Sequence, residues 1–200
     1  MSNGLPKRVK LKNGRVVTLR ALEKSDEAAL GRFFAGLPPE ATEFLRDDVR
    51  DPGVIRHFIE ERDPDRVFCI LAVTEDGQVV ADATLHKDPR GWRRHLGEIR
   101  VVVAPEVQKL RLASAMIREL VTHATFVGLK KVVAQILDSQ AEVGAAFQRL
   151  GFCQEARLVG HALDMHGQQH DILVLTNDVD ALWDRMQDLL TDLDTRGSAQ

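Results

Sequence analysis

Hydrophobic and polar residues alternate along the first part of the chain in a way that predicts one strand followed by two helices. Residues 14–21 read GRVVTLRA, the alternation of a β-strand that buries one face. Ser25 and Asp26 then offer an N-cap for a first helix, which Pro38 would end. A second amphipathic helix is predicted over residues 54–61.

Three strands are predicted next, over residues 67–73, 78–86 and 96–103. The first of them, VFCILAV, is almost continuously apolar, which is typical of a strand buried on both faces. The dipeptide Asp76–Gly77 separates the first strand from the second and indicates a hairpin turn. These strands therefore predict an antiparallel segment of sheet.

The second half of the chain returns to helical spacing and then to strands. Apolar residues recur every three or four positions from Leu112 to Val127, and Gly128 suits the position just past a helix end. The elements predicted after this helix are a strand over 131–137, a short helix over 140–150, strands over 152–163 and 169–175, and a last amphipathic helix.

This order of elements predicts one α/β domain with a mixed, mostly antiparallel twisted sheet of about six to seven strands flanked by helices. Hairpins give antiparallel pairs, whereas a strand–helix–strand crossover gives a parallel pair. The expected parts are an N-terminal arm over 1–13, the domain over 14–178, a C-terminal amphipathic helix over 179–194 and a disordered tail over 195–200.

Composition narrows the range of partners. The chain has 200 residues, 44% of them hydrophobic, and a net charge of -3, which disfavours nucleic-acid binding because phosphate neutralisation needs a concentrated basic surface. No stretch approaches the roughly 20 apolar residues of a membrane span, and the first residues do not resemble a secretory signal. Cys69 and Cys153 are expected to be buried, reduced thiols, so a cytoplasmic protein is predicted.

Three segments together resemble the GNAT (Gcn5-related) acyltransferase superfamily. Residues 103–124, VAPEVQKLRLASAMIRELVTHA, follow its pattern of a strand stop, a Q/R-x-x-G-x-G/A loop and a long helix. Residues 140–152, QAEVGAAFQRLGF, are similar to its Asn, short helix and Leu-Gly-Phe. Residues 166–175, HGQQHDILVL, resemble its closing hairpin, and the resemblance covers roughly residues 14–177.

The resemblance implies the acyl-CoA N-acyltransferase fold, with acetyl-CoA as co-substrate. A helix N-terminus with unpaired N–H groups suits the pyrophosphate, and the pantetheine arm would pair with the preceding strand. The cofactor-binding residues that it implies are Val101, Val102, Val103, Gln108, Lys109, Leu110, Arg111, Leu112, Ala113, Ser114, Gln140 and Phe147.

The phosphate loop departs from the family pattern, because Arg111 replaces the central glycine. Lys109 and Arg111 could place cations on the phosphates, or they could be solvated charges on a helix surface. Alternatively, Val107 and Leu110 continue the apolar stripe of the helix, which would then begin a turn early and consume the N–H groups. We favour a retained loop with weakened CoA binding.

Two further departures concern the acid and the amide of the family site. The chain contains no tyrosine, and Phe147 stands where many relatives keep a tyrosine that protonates the departing thiolate. Water or Ser139 could take that role, while Phe147 would simply pack. Gln140 occupies the family's Asn position and would contact pantetheine or only start a helix.

Glu98 is the candidate general base, since several relatives carry a glutamate early on this strand. An amine must lose a proton before it attacks a thioester, and a carboxylate in partly apolar surroundings is a stronger proton acceptor. The competing interpretation is a surface ion pair with Arg100 or Arg94. His86 and His95 would line an acceptor pocket or be ordinary loop histidines.

The remaining polar clusters give no second chemistry. His161, Asp164, His166 and His170 lie on one predicted hairpin but lack the ligand spacing of a zinc site, so no metal is predicted.

Three functions remain open. The first is an acetyl-CoA-dependent N-acetyltransferase in which an amine of a small molecule or protein attacks directly. The second is a GNAT-like module that binds CoA or a protein partner with little or no turnover. The third, which we favour least, is a structural or interaction domain with no cofactor. The last helix would pack on its own chain by default, although it could pair with a second copy in a homodimer.

Overall fold

The structure, a computed structural model, describes residues 4–42, 45, 47–164, 166–179 and 181. Four α-helices lie in this part of the chain, α1 Glu27–Ala35, α2 Pro52–Glu61, α3 Leu112–Phe126 and α4 Ala141–Arg149. The eight strands of the same part are β1 Lys7–Lys10, β2 Val16–Ala21, β3 Val67–Thr74, β4 Val79–Lys87, β5 Leu96–Val103, β6 Lys131–Leu137, β7 Cys153–Leu163 and β8 Gln169–Asp178.

All eight strands form one sheet with the order β1-β2-β3-β4-β5-β6-β8-β7. The pair β5–β6 is parallel, as expected for strands joined by a crossover through α3, and the other neighbours are antiparallel. The predicted mixed, mostly antiparallel α/β fold is therefore confirmed.

The sheet carries helices on both faces. On one face, His123 of α3 stacks on Phe68 of β3, with ring centroids 3.8 Å apart. Burial raises the cost of a charged imidazole there and lowers the pKa of His123 to about 4. On the other face, α2 packs beside α1 and faces β4 and β5. The core side chains buried at 2% exposure or less include Leu19, Ile70, Leu85, Ile99, Met116 and Leu120.

Strand β1 is the element that the sequence pattern missed. Lys7–Lys10 lies in the predicted N-terminal arm, yet it pairs antiparallel with β2 and brings the sheet to eight strands. Its sequence, KRVK, offers one apolar side chain, the half-buried Val9. A short strand rich in lysine is typical of a sheet edge, where charge prevents further pairing.

The starts of α1 and α2 differ from the prediction. Asp26 does not cap α1 with its side chain. Its carboxylate instead binds the guanidinium of Arg20, with both N–O distances 2.6 Å, and accepts the amide of Glu23 at 2.9 Å. The hydrogen bond from Arg20 lowers the pKa of Asp26. Helix α2 begins two residues early because Asp51 accepts the amide of Gly53 at 2.7 Å and caps it.

The predicted C-terminal helix over 179–194 and the tail over 195–200 lie outside the described residues, apart from Val179 and Ala181. Val179 is buried, and its amide donates to the carbonyl of Lys130 at 3.0 Å. In the described part of the chain, no helix combines the length and apolar character that crossing a bilayer requires.

Candidate functional site

The central feature of the site is a divergence between β5 and β6. Among the described residues, their register joins three pairs, of which the last is Glu98 with Val133. Strand β5 continues to Val103 and β6 to Leu137, so the two strands part after Glu98. The edge of β5 that faces the gap is thus open to another extended chain. Gln108 reaches back to its end, where its Nε2 donates to the carbonyl of Val103 at 3.1 Å.

A cleft of about 500 Å³ opens on the α2 side of the sheet beside this divergence. Alternation along β5 turns Glu98 and Arg100 towards the cleft and the fully buried Ile99 towards α3. The six lining residues that matter most below are Arg62, Arg66, His86, Arg93, Glu98 and Arg100. The cleft has the size of small-molecule sites, which span roughly 300 to 1,000 Å³.

Glu98 and Arg100 form an ion pair inside the cleft. Arg100 Nε lies 3.0 Å from Glu98 Oε1, and the two side chains are 26% and 18% exposed, respectively. Arg94, the other partner considered from sequence, instead donates its Nη1 to the carbonyl of Gly91 at 3.2 Å. Glu98 is therefore a paired carboxylate with limited solvent access, and Arg100 supplies a hydrogen-bond donor to whatever binds beside it.

Of the two histidines that flank this region, only His86 lines the cleft. It lies opposite Glu98 in the β4–β5 register, and its Nε2 is 3.0 Å from Thr84 Oγ1. His95 has a structural contact instead, since its carbonyl accepts the amides of Lys130 and Lys131 at 2.9 and 3.2 Å.

Asp82 is a titratable residue on this face of the sheet that sequence reasoning missed. It lies opposite Val102 in β5, and its Oδ1 accepts the Cys69 thiol at an S–O distance of 3.0 Å. Burial raises the pKa of Asp82 to about 6, and burial together with the nearby carboxylate raises that of the Cys69 thiol well above its ordinary value. The alternation of Asp82, Thr84 and His86 in β4 was the signal that could have placed it here.

The loop before α3 has a defined non-helical backbone. Lys109 and Arg111 have φ values of 60° and 68°, in the left-handed region that favours glycine, and α3 begins at Leu112. The alternative of a helix that starts a turn early is therefore wrong. Leu110, between the two residues, packs on the core, and its carbonyl accepts the amide of Lys12 at 3.4 Å. The left-handed conformation costs a residue other than glycine about 1 to 2 kcal/mol. The contacts of Leu110 offset this cost and hold the loop in place.

The electrostatics of this loop suit an anion. Arg111 is the N-cap residue of α3, and its side chain accepts no hydrogen bond from the amides of the first turn. These amides can therefore donate to a bound anion. Ala113 and Ser114 in that turn are small and half-buried, so an anion can come close to the backbone there. Lys109 Nζ lies 2.9 Å from Glu142 Oε1 of α4, and both side chains are largely exposed.

Gln140 and Phe147 lie at the two ends of α4. Gln140 is its N-cap residue, and its Oε1 accepts the amide of Leu137 at 3.1 Å, which ties the helix to the end of β6. Phe147 is 3% exposed and meets Phe152 edge-on, with ring centroids 4.9 Å apart. Phe147 thus packs in the core and carries no group that could transfer a proton.

The histidine-containing hairpin between β7 and β8 is organised by Asp164. Its Oδ1 accepts the amides of His166 and Gln168, both at 2.8 Å, and its Oδ2 lies 3.1 Å from His170 Nε2. Among the residues that the structure describes, no three His, Cys, Asp or Glu side chains are grouped so that they could hold a metal ion.

Comparison with known proteins matches the central part of the chain to one family model. The model is described as the acetyltransferase (GNAT) family, and it matches residues 32–152, more than half of the sequence. The match includes the cleft, the β5–β6 divergence and the loop before α3. No curated protein matches the chain.

Solved structures of GNAT proteins share the fold at low sequence identity. An acetyltransferase of the GNAT family from Streptococcus pneumoniae is 18% identical, with a TM-score of 0.69 over 81% of this chain and 99% of that one. The GNAT domain of PAT from S. lividans is 18% identical, with a TM-score of 0.71 over 86% and 96%. The yncA protein from Salmonella typhimurium, solved with its cofactor acetyl-CoA, is 20% identical, with a TM-score of 0.69 over 82% and 94%.

Proposed function

Because this chain belongs to the acetyltransferase (GNAT) family, we propose that it transfers the acetyl group of acetyl-CoA to an amine by direct attack. The observation that carries the proposal is the divergence of β5 from β6 after Glu98. It leaves a gap in the sheet between the loop before α3, where we propose that the pyrophosphate binds, and the cleft on the α2 side. A long cofactor can enter from the first while an amine approaches from the second.

Acetyl-CoA would supply the acetyl group as a thioester, and the chain offers complementary groups along its length. The first-turn amides of α3, with Arg111, suit the pyrophosphate. The open edge of β5 over Val101, Val102 and Val103 suits the amide groups of pantetheine, which would add like a strand. Gln140 contributes an amide on the opposite side of the gap, with its Nε2 left to donate.

Glu98 is the residue that we propose to accept the proton of the incoming ammonium group. It lies in the cleft at the point where the strands part, and Arg100 holds its carboxylate at 3.0 Å. Holding amine and thioester together would supply much of the rate, since a bimolecular step becomes effectively unimolecular. Phe147 has no proton to give, so water would protonate the departing thiolate, with the exposed Ser139 as an alternative donor.

The second candidate function is a module that binds CoA or a protein partner without turnover. Two observations favour it. The Lys109–Glu142 ion pair connects the loop before α3 to α4 and engages a cation that would otherwise bind phosphate. The Glu98–Arg100 ion pair engages the carboxylate that would otherwise accept the proton. An exposed pair such as the first contributes only about 0 to 1 kcal/mol, so a pyrophosphate can displace it. We therefore prefer the enzyme.

The test combines calorimetric titration of acetyl-CoA with an acetylation assay on a panel of amines, using the wild type and Glu98→Gln. We expect micromolar affinity, about -8 kcal/mol, in both proteins. Loss of the base should lower kcat by roughly 10²- to 10⁴-fold. The matched control is Glu75→Gln, because Glu75 also pairs with an arginine, Arg8, at 2.9 Å on the open surface.

Three outcomes separate the alternatives. Unchanged turnover in Glu98→Gln removes Glu98 as the base. Tight binding without acetylation of any amine supports the module. Absence of acetyl-CoA binding at millimolar concentration contradicts both CoA-dependent functions.

A further inference from the structure

The cleft is lined by four arginines, Arg62, Arg66, Arg93 and Arg100. Within the described part of the chain, only Arg100 has a carboxylate partner. Arg62 donates its Nη1 to the carbonyl of Val67 at 3.1 Å, while its Nε is buried with no acceptor among the described residues. The guanidinium group is planar and binds carboxylate or phosphate through two parallel hydrogen bonds. The cleft therefore carries unused capacity to bind an anion.

Arg66 and Arg93 line the same cleft as Glu98. The carbonyl of Arg66 accepts the amide of Lys87 at 2.8 Å, and Lys87 directly follows His86, the register partner of Glu98. Arg66 is thus offset from Glu98 by one residue along the strands and by two strands across the sheet, a backbone separation of roughly 10 Å that a ligand between the two side chains can bridge. Arg93 lies in the turn that leads into β5.

The other charged residues of the lining are of both signs. Asp63 and Asp88 turn an oxygen back onto their own loops, where each accepts a backbone amide, at 2.8 and 3.2 Å respectively. Glu61 stands at the end of α2, which makes the lining mixed in charge. Lys87 also borders the cleft, and its charge adds to the effect of burial in lowering the pKa of His123 on α3.

We propose that the acceptor is a small zwitterionic amine, a molecule that carries a carboxylate within a few bonds of its amino group, as a free amino acid does. Arg66 and Arg93, supported by Arg62, bind the carboxylate, and the amino group faces Glu98. This inference rests on the proposed function, because it names the acceptor of that same site. A mixed-charge cleft matches a ligand with both charges, whereas a polyamine would leave the arginines unpaired.

The reaction is balanced by the same groups. One ammonium proton passes to Glu98, an N–C bond forms between the amine nitrogen and the acetyl carbon, and the C–S bond breaks as the thiolate leaves. The second proton that the nitrogen loses passes through water to the thiolate, and Glu98 releases its proton to solvent. The product keeps its carboxylate but has lost the positive charge of the amine. It therefore loses its attraction to Glu98 while it remains bound to the arginines.

The experiment compares the standard L-amino acids with their α-carboxamides, which keep the amine and the side chain but lack the carboxylate, and with putrescine. We expect at least one amino acid to have a kcat/KM at least tenfold above that of its carboxamide and of putrescine. Equal or better use of the carboxamide or of putrescine overturns the inference.

Variants then locate the carboxylate site. Arg66→Gln and Arg93→Gln should raise KM for the preferred amino acid about tenfold or more, and leave KM for its carboxamide unchanged. Arg90→Gln is the matched control, because Arg90 lies in the same loop as Arg93 but is absent from the lining of the cleft. An equal effect of all three substitutions on both acceptors contradicts a specific carboxylate site.

Binding measurements keep the inference separate from the proposed function. Calorimetric titration of the same amino acids and carboxamides, with and without CoA, needs no turnover. If no acceptor is acetylated but the amino acid still binds more tightly than its carboxamide, the proposed function fails and the binding site stands. If neither turnover nor binding distinguishes the two, the inference is wrong.

Discussion

Replacing Asp82 by asparagine should stabilise the protein at neutral pH and leave its stability unchanged in acid. Asp82 lies in β4 with its Oδ1 bound by the Cys69 thiol at 3.0 Å, and asparagine keeps an oxygen that can accept the same bond. The substitution is nearly isosteric, so the main change is the loss of a charge that is costly to bury.

The magnitude follows from the pKa of Asp82, which burial raises from 3.8 to about 6. Each unit is worth about 1.4 kcal/mol, so the folded state carries a penalty of about 3 kcal/mol once the carboxylate is charged. Well below pH 3.8 the group is protonated in both the folded and the unfolded states, and the penalty is absent. Between pH 4 and 6 the folded state binds more protons, so the stability of the wild type falls as pH rises.

The assay is urea unfolding of the wild type and Asp82→Asn at intervals from pH 4 to 8. We expect the difference in free energy of unfolding to grow from near zero to about 3 kcal/mol in favour of asparagine. Asp26→Asn is the control of opposite sign, because Arg20 lowers the pKa of Asp26, and this variant should be less stable than wild type at neutral pH. A difference for Asp82→Asn that does not vary with pH would refute the reasoning.

Two further predictions concern glycine positions. Gly97→Ala should destabilise by about 1 to 3 kcal/mol in urea unfolding, because its Cβ would lie 2.7 Å from the side chains of both Leu85 and Leu129. Gly31→Ala, in α1 with open space around the new Cβ, should instead stabilise by about 0.5 to 1 kcal/mol, and a loss there would contradict the packing argument. Arg111→Gly should change stability by less than about 1 kcal/mol, as relief of the left-handed backbone offsets the added freedom of the unfolded chain. The same variant should weaken acetyl-CoA binding about tenfold or more through loss of one charge-assisted hydrogen bond, whereas tighter binding in calorimetry would contradict a phosphate-binding role.

The sequence predicted the strands and helices that have strong periodicity, including β3 to β6 and α3. It missed β1 because KRVK has one apolar residue, so its strand conformation depends on pairing with β2 rather than on its own pattern. It misplaced the role of Asp26, since an acidic residue before a helix is an ordinary cap and only the fold brings Arg20 within 2.6 Å.

The candidate site was less predictable because it depends on contacts between distant elements. The residues before α3 fit two helix starts, of which the later one was favoured, and the left-handed backbone of Lys109 and Arg111 confirms the later start. Likewise, alternation alone showed that Glu98 and Arg100 share a face of the sheet, but not that this face lines a cleft beside α2. The strand that contains Asp82 was predicted, but the burial of the Asp82 side chain depends on other elements that pack on this face of the sheet.

The short parallel junction between β5 and β6 also has a mechanical meaning. Three residue pairs connect a half-sheet of five strands to a half-sheet of three within the described chain. We expect the two parts to move as rigid units about this junction, where α3 packs on β5 and α4 packs on β6. A molecule that pairs with β5 in the gap would add hydrogen bonds between the two parts of the sheet and reduce their relative motion. The domain would therefore be more rigid when the gap is filled than when it is empty.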